Sequence, residues 1–194
     1  MNTRWLAAVL AAALFGVGCG NKSHRSYLAP KANLQNISII AVLPFENLTD
    51  YPNAGQIVSD LVVTELYAVG RYKVIDAPTA LKLYQESGGT LLPAPDRSYA
   101  VEVGRAIRAD AVVYGSVQEF AYRLDKYRQG TREPAVALTL RMVDVGTGIV
   151  LWAASESRSS DAVLSADRDP VNRVALAILR NLREKLAEYL AKAS

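Results

Sequence analysis

The sequence is short of the side chains from which most metal and nucleophile chemistry is built. It has one cysteine and one histidine in 194 residues. A single cysteine excludes an internal disulfide framework, and one Cys with one His cannot make a Cys/His zinc site. Charge of one sign is also scarce. Twenty-two Lys+Arg face 19 Asp+Glu, for a net charge of +3. With no block of like charge, that balance does not suggest a nucleic-acid binder. No GxxxxGK[ST], GxGxxG or GxSxG pattern occurs, and the only His lies outside the folded region expected below, so a Ser-His-Asp triad has no base. Gly88-Gly89 is an isolated pair and no phosphate loop. Glu46 and Asp50 are the nearest pair of acids, but four-residue spacing in a loop carries capping and solvation as readily as catalysis or a metal. The chain is therefore read as a non-enzyme without cofactor or metal.

Long apolar runs are equally scarce, and the one at the N-terminus is informative. Arg4 precedes Trp5 to Val17, thirteen apolar or small residues that end in Gly16-Val17-Gly18-Cys19. A membrane-crossing helix needs about 20 such residues. A charged start, a short apolar core and a small-residue end describe a secretory signal peptide. Leu14-Phe15-Gly16-Val17-Gly18-Cys19 resembles a bacterial lipobox, although Gly16 stands where Leu is usual. That resemblance implies cleavage between Gly18 and Cys19. It also implies lipidation of Cys19 by S-diacylglycerol and an N-acyl chain. Gly20, rather than Asp, follows the cysteine. By resemblance to the sorting rules of diderm bacteria, this points to the outer membrane, facing the periplasm. The alternative is a secreted protein with a free thiol.

Gly20 to Asn36 is polar, without apolar periodicity, and reads as a solvated tether that contains His24. The expected organisation is thus a signal peptide at 1–18, the lipidated Cys and linker at 19–36, and one domain at 37–194. Within the domain, Ile37 to Phe45 reads as a strand buried on both faces. Asn53 with Gln56 suggests a capping box before a helix that ends at Gly70. Arg71 to Asp76 is a short strand, and Pro78 to Gln85 a short helix. Ser98 is a cap for a helix over Tyr99 to Ile107. Ala111 to Phe120 is a strand in which Gly115 suggests a bulge or a close backbone approach. Ala135 to Asp144 alternates, with Val136, Leu138, Leu140 and Met142 on one face, and Ile149 to Ser157 returns as its hairpin partner. Asp169-Pro170 opens a final helix whose stripe is Val171, Val174, Ala175, Ile178, Leu182, Leu186, Tyr189 and Leu190. The order β-α-β-α-α-β-β-β-α predicts an α/β (α+β) domain, a small mixed sheet with packed helices.

Ile39 to Phe45 leading to Val58-Ser59-Asp60-Leu61, then Ala109 to Val117, then Leu138 to Gly148 with Trp152, carry a family resemblance. Together they resemble the superfamily of the curli secretion-channel lipoprotein (CsgG-like), the lipoprotein activators of penicillin-binding proteins (LpoB-like) and the N-terminal domain of TolB. The resemblance implies a small α/β domain on a lipid tether. It departs from the channels where they insert spanning hairpins. Here those places hold Ala121 to Pro134, which is charged, and Ser157 to Asp169, which is Ser/Asp-rich, so neither crosses a bilayer. The tether is also short for the synthase activators. The expected function is regulation or scaffolding of another envelope protein, in peptidoglycan synthesis or secretion. The rivals are a subunit of an oligomeric ring in a CsgG-like secretion apparatus, and a small-ligand receptor or enzyme. Tyr122 to Glu133 mixes aromatic and basic residues, as interfaces do. Tyr122, Arg123, Tyr127, Arg128 and Arg132 are the candidate partner surface. A twisted, solvated hairpin end is the plainer reading.

Overall fold

The structure is a computed structural model and describes residues 22–30, 32, 34–92, 94–124, 132–159 and 171–192. Its elements are β1 (Lys22–Leu28), a 3-10 turn (Leu34–Asn36), β2 (Ile39–Val42), β3 (Glu46–Asn47) and α1 (Ala54–Ala68). Then follow β4 (Lys73–Ile75), α2 (Ala77–Glu86), α3 (Arg97–Ala106), β5 (Ala111–Leu124), β6 (Arg132–Asp144), β7 (Val150–Ser159) and α4 (Val171–Lys192). From β2 onward this is the expected order, with the two-residue β3 inserted in what reads as a loop.

The seven strands form one mixed sheet in the order β1-β7-β6-β5-β2-β4, with β3 beside β5. β2 lies parallel to β4 and β5, while β5, β6, β7 and β1 are successively antiparallel. The β2 region shows why its run is apolar without alternation. Ile40 and Val42 pack into the core under α1 and α4, and Ala41 and Leu43 into the core under α2 and α3. On β6, Val136, Leu138, Leu140 and Met142 are buried on the first of these faces, whereas Thr139 and Arg141 lie on the wetter one. The α4 stripe buries Val174, Ala175, Ile178, Leu182 and Leu186 against the same face. Asp169 and Pro170 lie outside the described residues.

Gly115 is a close-approach site rather than a bulge. The register shift of β5 comes later, between Val117 and Glu119. Gly70 ends α1 with φ +72°, as a C′ glycine does.

Two caps differ from the pattern reading. Asn53 adopts φ 59° and makes no capping bond, because a side-chain cap needs extended backbone there. Gln56 instead reaches forward to Asp60 at 2.8 Å. Ser98 sits inside the first turn of α3, and Asp96 is the cap, accepting from the Tyr99 amide at 2.7 Å.

The largest correction concerns the tether. Lys22–Leu28 is not a solvated coil but an edge strand. It pairs antiparallel with β7 from Lys22↔Arg158 to Leu28↔Trp152. Of its inward side chains His24 and Ser26 are polar and only Leu28 packs on the apolar core, which is why no hydrophobic alternation announces it. His24 Nδ1 meets Glu156 Oε2 at 3.0 Å, and the Trp152 indole donates to Ser26 Oγ at 3.1 Å. Leu34 and Ile37, at the end of the same segment, are buried.

Candidate functional site

The β5–β6 pair extends past the rest of the sheet. Tyr122 faces Pro134, Arg123 faces Glu133 and Leu124 faces Arg132. Neither β2 nor β3 pairs β5 beyond Val117, so β5 has an open edge from there to its end. This arm carries the three described residues of the expected partner surface; Tyr127 and Arg128 lie outside the described residues, as do Gly18 and Cys19.

The three are not equivalent. The Tyr122 hydroxyl accepts from the Val171 amide at 3.2 Å, so it ties the arm to the first turn of α4. Arg123 is committed to Glu119, with Nη2 2.6 Å from Oε2, and is less available to a partner than its exposure suggests. Arg132 lines a surface hollow of about 490 Å³ with Leu48, Asp50, Tyr51 and Phe120. Tyr51 floors it, its ring tilted on Phe120 at 4.9 Å between centroids. Asp50 lines this hollow, whereas Glu46, on β3, does not.

Two charged groups escaped the sequence reading. Glu65 of α1 is buried at 7% exposure and faces two arginines of α4. Arg183 Nη1 lies 3.1 Å and Arg180 Nε 3.7 Å from its carboxylate. The basic face of α4 is therefore partly a helix-to-helix clamp, not only solvated. The carboxylate borders an apolar void of about 30 Å³ between α1, α4 and the sheet, too small for a ligand.

The second is Glu156, also 7% exposed. Both its oxygens accept from Asn181 Nδ2 of α4 at 3.1 Å, and Oε2 also meets His24. This set latches β1 and α4 to β7. No sequence pattern pointed to it, since the partners are separated by 132 and 25 positions. Replacing Glu156 by Ala strands His24 and Asn181 and costs about 1–3 kcal/mol, felt first at the edge strand. Hydrogen exchange is expected to show protection lost over Lys22–Leu28 and kept in β5 and β6. Uniform loss across the sheet would refute the latch.

On the opposite sheet face, burial pushes the Tyr114 hydroxyl above its ordinary pKa, opposed by Arg141 and Arg97. The Tyr84 hydroxyl donates to Glu102 at 2.6 Å; that bond and burial push it up to about 12. Both are neutral phenols at physiological pH and serve packing.

A family model for the peptidoglycan-synthase activator LpoB matches residues 23–157, well over half of the chain. The chain belongs to the LpoB family. The match begins within β1, so the family domain includes the edge strand that reads as tether. No curated protein matches. Among solved structures, the PelC dodecamer from Paraburkholderia phytofirmans is similar at 23% identity and a TM-score of 0.59, covering 83% of this chain and 94% of that one. A single-site variant of the same dodecamer gives 24%, 0.60 and the same coverage. The hypothetical protein CT253 from Chlamydia trachomatis gives 16% and 0.51, with 79% and 97% covered. These likenesses show that the LpoB-family chain shares its fold with both. No helix among its described residues is long and apolar enough to cross a membrane.

Proposed function

We propose that this LpoB-family chain is an outer-membrane lipoprotein whose periplasmic domain binds and activates a peptidoglycan synthase. The family match over residues 23–157 carries this reading. The lipobox-like end of the apolar run supports the anchor on Cys19. The mechanism is confinement: an anchored domain searches a thin layer, which raises its effective concentration for a partner in that layer. Its own contribution is a binding surface rather than a reaction.

The test is a purified synthase assayed for glycan polymerisation with and without the lipidated chain, alongside crosslinking in cells. A rate rise with a synthase among the crosslinked partners is expected. No rate change and no synthase among the crosslinked partners would overturn the reading.

A second reading is a subunit of a homo-oligomeric ring in a secretion or envelope assembly, related to the wider CsgG-like group. It is favoured by a fold shared with a protein that forms dodecamers, over 94% of that protein's chain. Native mass of the detergent-extracted protein separates the two. A stable monomer at micromolar concentration rejects the ring.

A further inference from the structure

The edge strand changes how far the domain can stand from its anchor. Had residues 20–36 been a coil, the domain could sit some 20 Å or more from the lipid. With β1 docked, only three residue steps separate Lys22 from Cys19, a reach of about 10–11 Å at most.

The strand register shows what lies at that height. Lys22 pairs with Arg158, Arg158 with Val136, and Val136 with Phe120. Lys22 is therefore level with Phe120. β5 continues four residues beyond, to Leu124, which adds about 13 Å along the strand. With the strands upright, the arm reaches at least as far toward the lipid as the anchored cysteine does. A tilt lays the arm's flank on the same surface.

The side chains at this end suit that surface. Leu124 is 71% exposed and Tyr122 43%. Arg132 stands opposite Leu124 on β6. Apolar and aromatic tips beside guanidinium groups are the composition of a headgroup-level contact, with the apolar groups dipping in and the cation meeting phosphate.

We propose that the arm, through Leu124, Tyr122 and Arg132, docks on the phospholipid surface that holds the anchor. A protein is the poorer occupant, because a single helix is already about 10 Å thick and fills the whole reach of the leash. The contact fixes the domain's orientation and turns the β6–β7 turn and the α3 end of the molecule toward the periplasm. The inference rests on the Cys19 anchor.

The test uses the lipidated protein extracted from membranes and reconstituted in phosphatidylethanolamine–phosphatidylglycerol vesicles. Lipid on Cys19 blocks its thiol, so Leu124→Cys or Ile149→Cys provides one labelling position. Ile149 is 56% exposed in the turn at the opposite end of the sheet. A dye at each is challenged with headgroup spin-labelled lipid. Quenching about threefold or more stronger at position 124 than at 149 is expected for an arm held at headgroup depth. If the protein floats with vesicles but position 124 is quenched no more than 149, the docking is refuted and the anchor stands. If it does not float, the anchor reading falls and the docking with it.

Discussion

Replacing Gly115 by Ala is expected to destabilise the domain by about 3 kcal/mol or more, at the upper end of the cost of overpacking a core. A Cβ at this position would lie 2.1 Å from the Thr139 carbonyl oxygen, 2.6 Å from Phe45 Cε1 and 3.0 Å from Leu140 Cα. Two of these neighbours are backbone of β6, and Gly115 pairs with Leu140 in the middle of the longest ladder. The oxygen retreats only if β5 and β6 separate, so relaxation is expensive. The Phe45 ring lies over the bare glycine and is 4% exposed there, so its seating is lost as well. For a chain of this size the change corresponds to a fall in Tm of about 6–12 °C. A melt within about 2 °C of the unmodified protein would show that β6 yields more easily than this geometry allows. Gly70→Ala is the contrast. It meets nothing within 4 Å and suffers only from φ +72°, so about 1 kcal/mol is expected.

Gly115 also marks what could be read in advance. A glycine inside an apolar strand has few explanations, and a close backbone approach was one of them. The same holds for β2, whose unbroken apolar run follows from burial on both faces, and for the α4 stripe, whose period is that of a helix. These elements are held by apolar contacts, and apolar periodicity is what a sequence displays most openly.

β1 is held differently. Its contacts inward are His24 to Glu156 and Ser26 to Trp152, with Leu28 alone on the apolar core, and outward it presents Ser23, Arg25 and Tyr27. A strand with a single apolar residue on its inward face has no period-two signal, so it read as coil. Its backbone pairing with β7 is invisible until the fold brings residues 126 positions apart together. Buried Glu65 was missed for a related reason. On α1 it is one of two charged residues, with Asp60, and only the crossing of α4 supplies Arg183. The candidate surface was read from composition, not from geometry. Composition drew attention to Tyr122 and Arg132, but the Arg123–Glu119 pair and the hollow beneath Leu48 depend on register and on β3.

Replacing Cys19 by Ser is expected to move the protein from the membrane to the soluble fraction almost completely, while its melting temperature stays unchanged. The first half follows from lipid arithmetic. Each buried CH₂ contributes about 0.8 kcal/mol, so two or more acyl chains hold essentially irreversibly and one holds marginally. Serine offers no thiolate for the transfer of diacylglycerol, and the variant would carry no acyl chain. What is left for binding is the arm. Leu124 and Tyr122 bury only part of their surface at headgroup depth, a few kcal/mol in all, which a dilute protein loses to dissociation. The second half follows from where the fold begins. β1 starts at Lys22 and its latch is His24 with Glu156, so nothing described depends on position 19. Fractionation with a carbonate wash reads the first half, and a thermal melt of the detergent-solubilised pair the second. A carbonate-resistant serine variant would refute lipidation as the anchor. A soluble variant that also melts many degrees lower would show that the anchor, not the His24–Glu156 latch, keeps the edge strand in place.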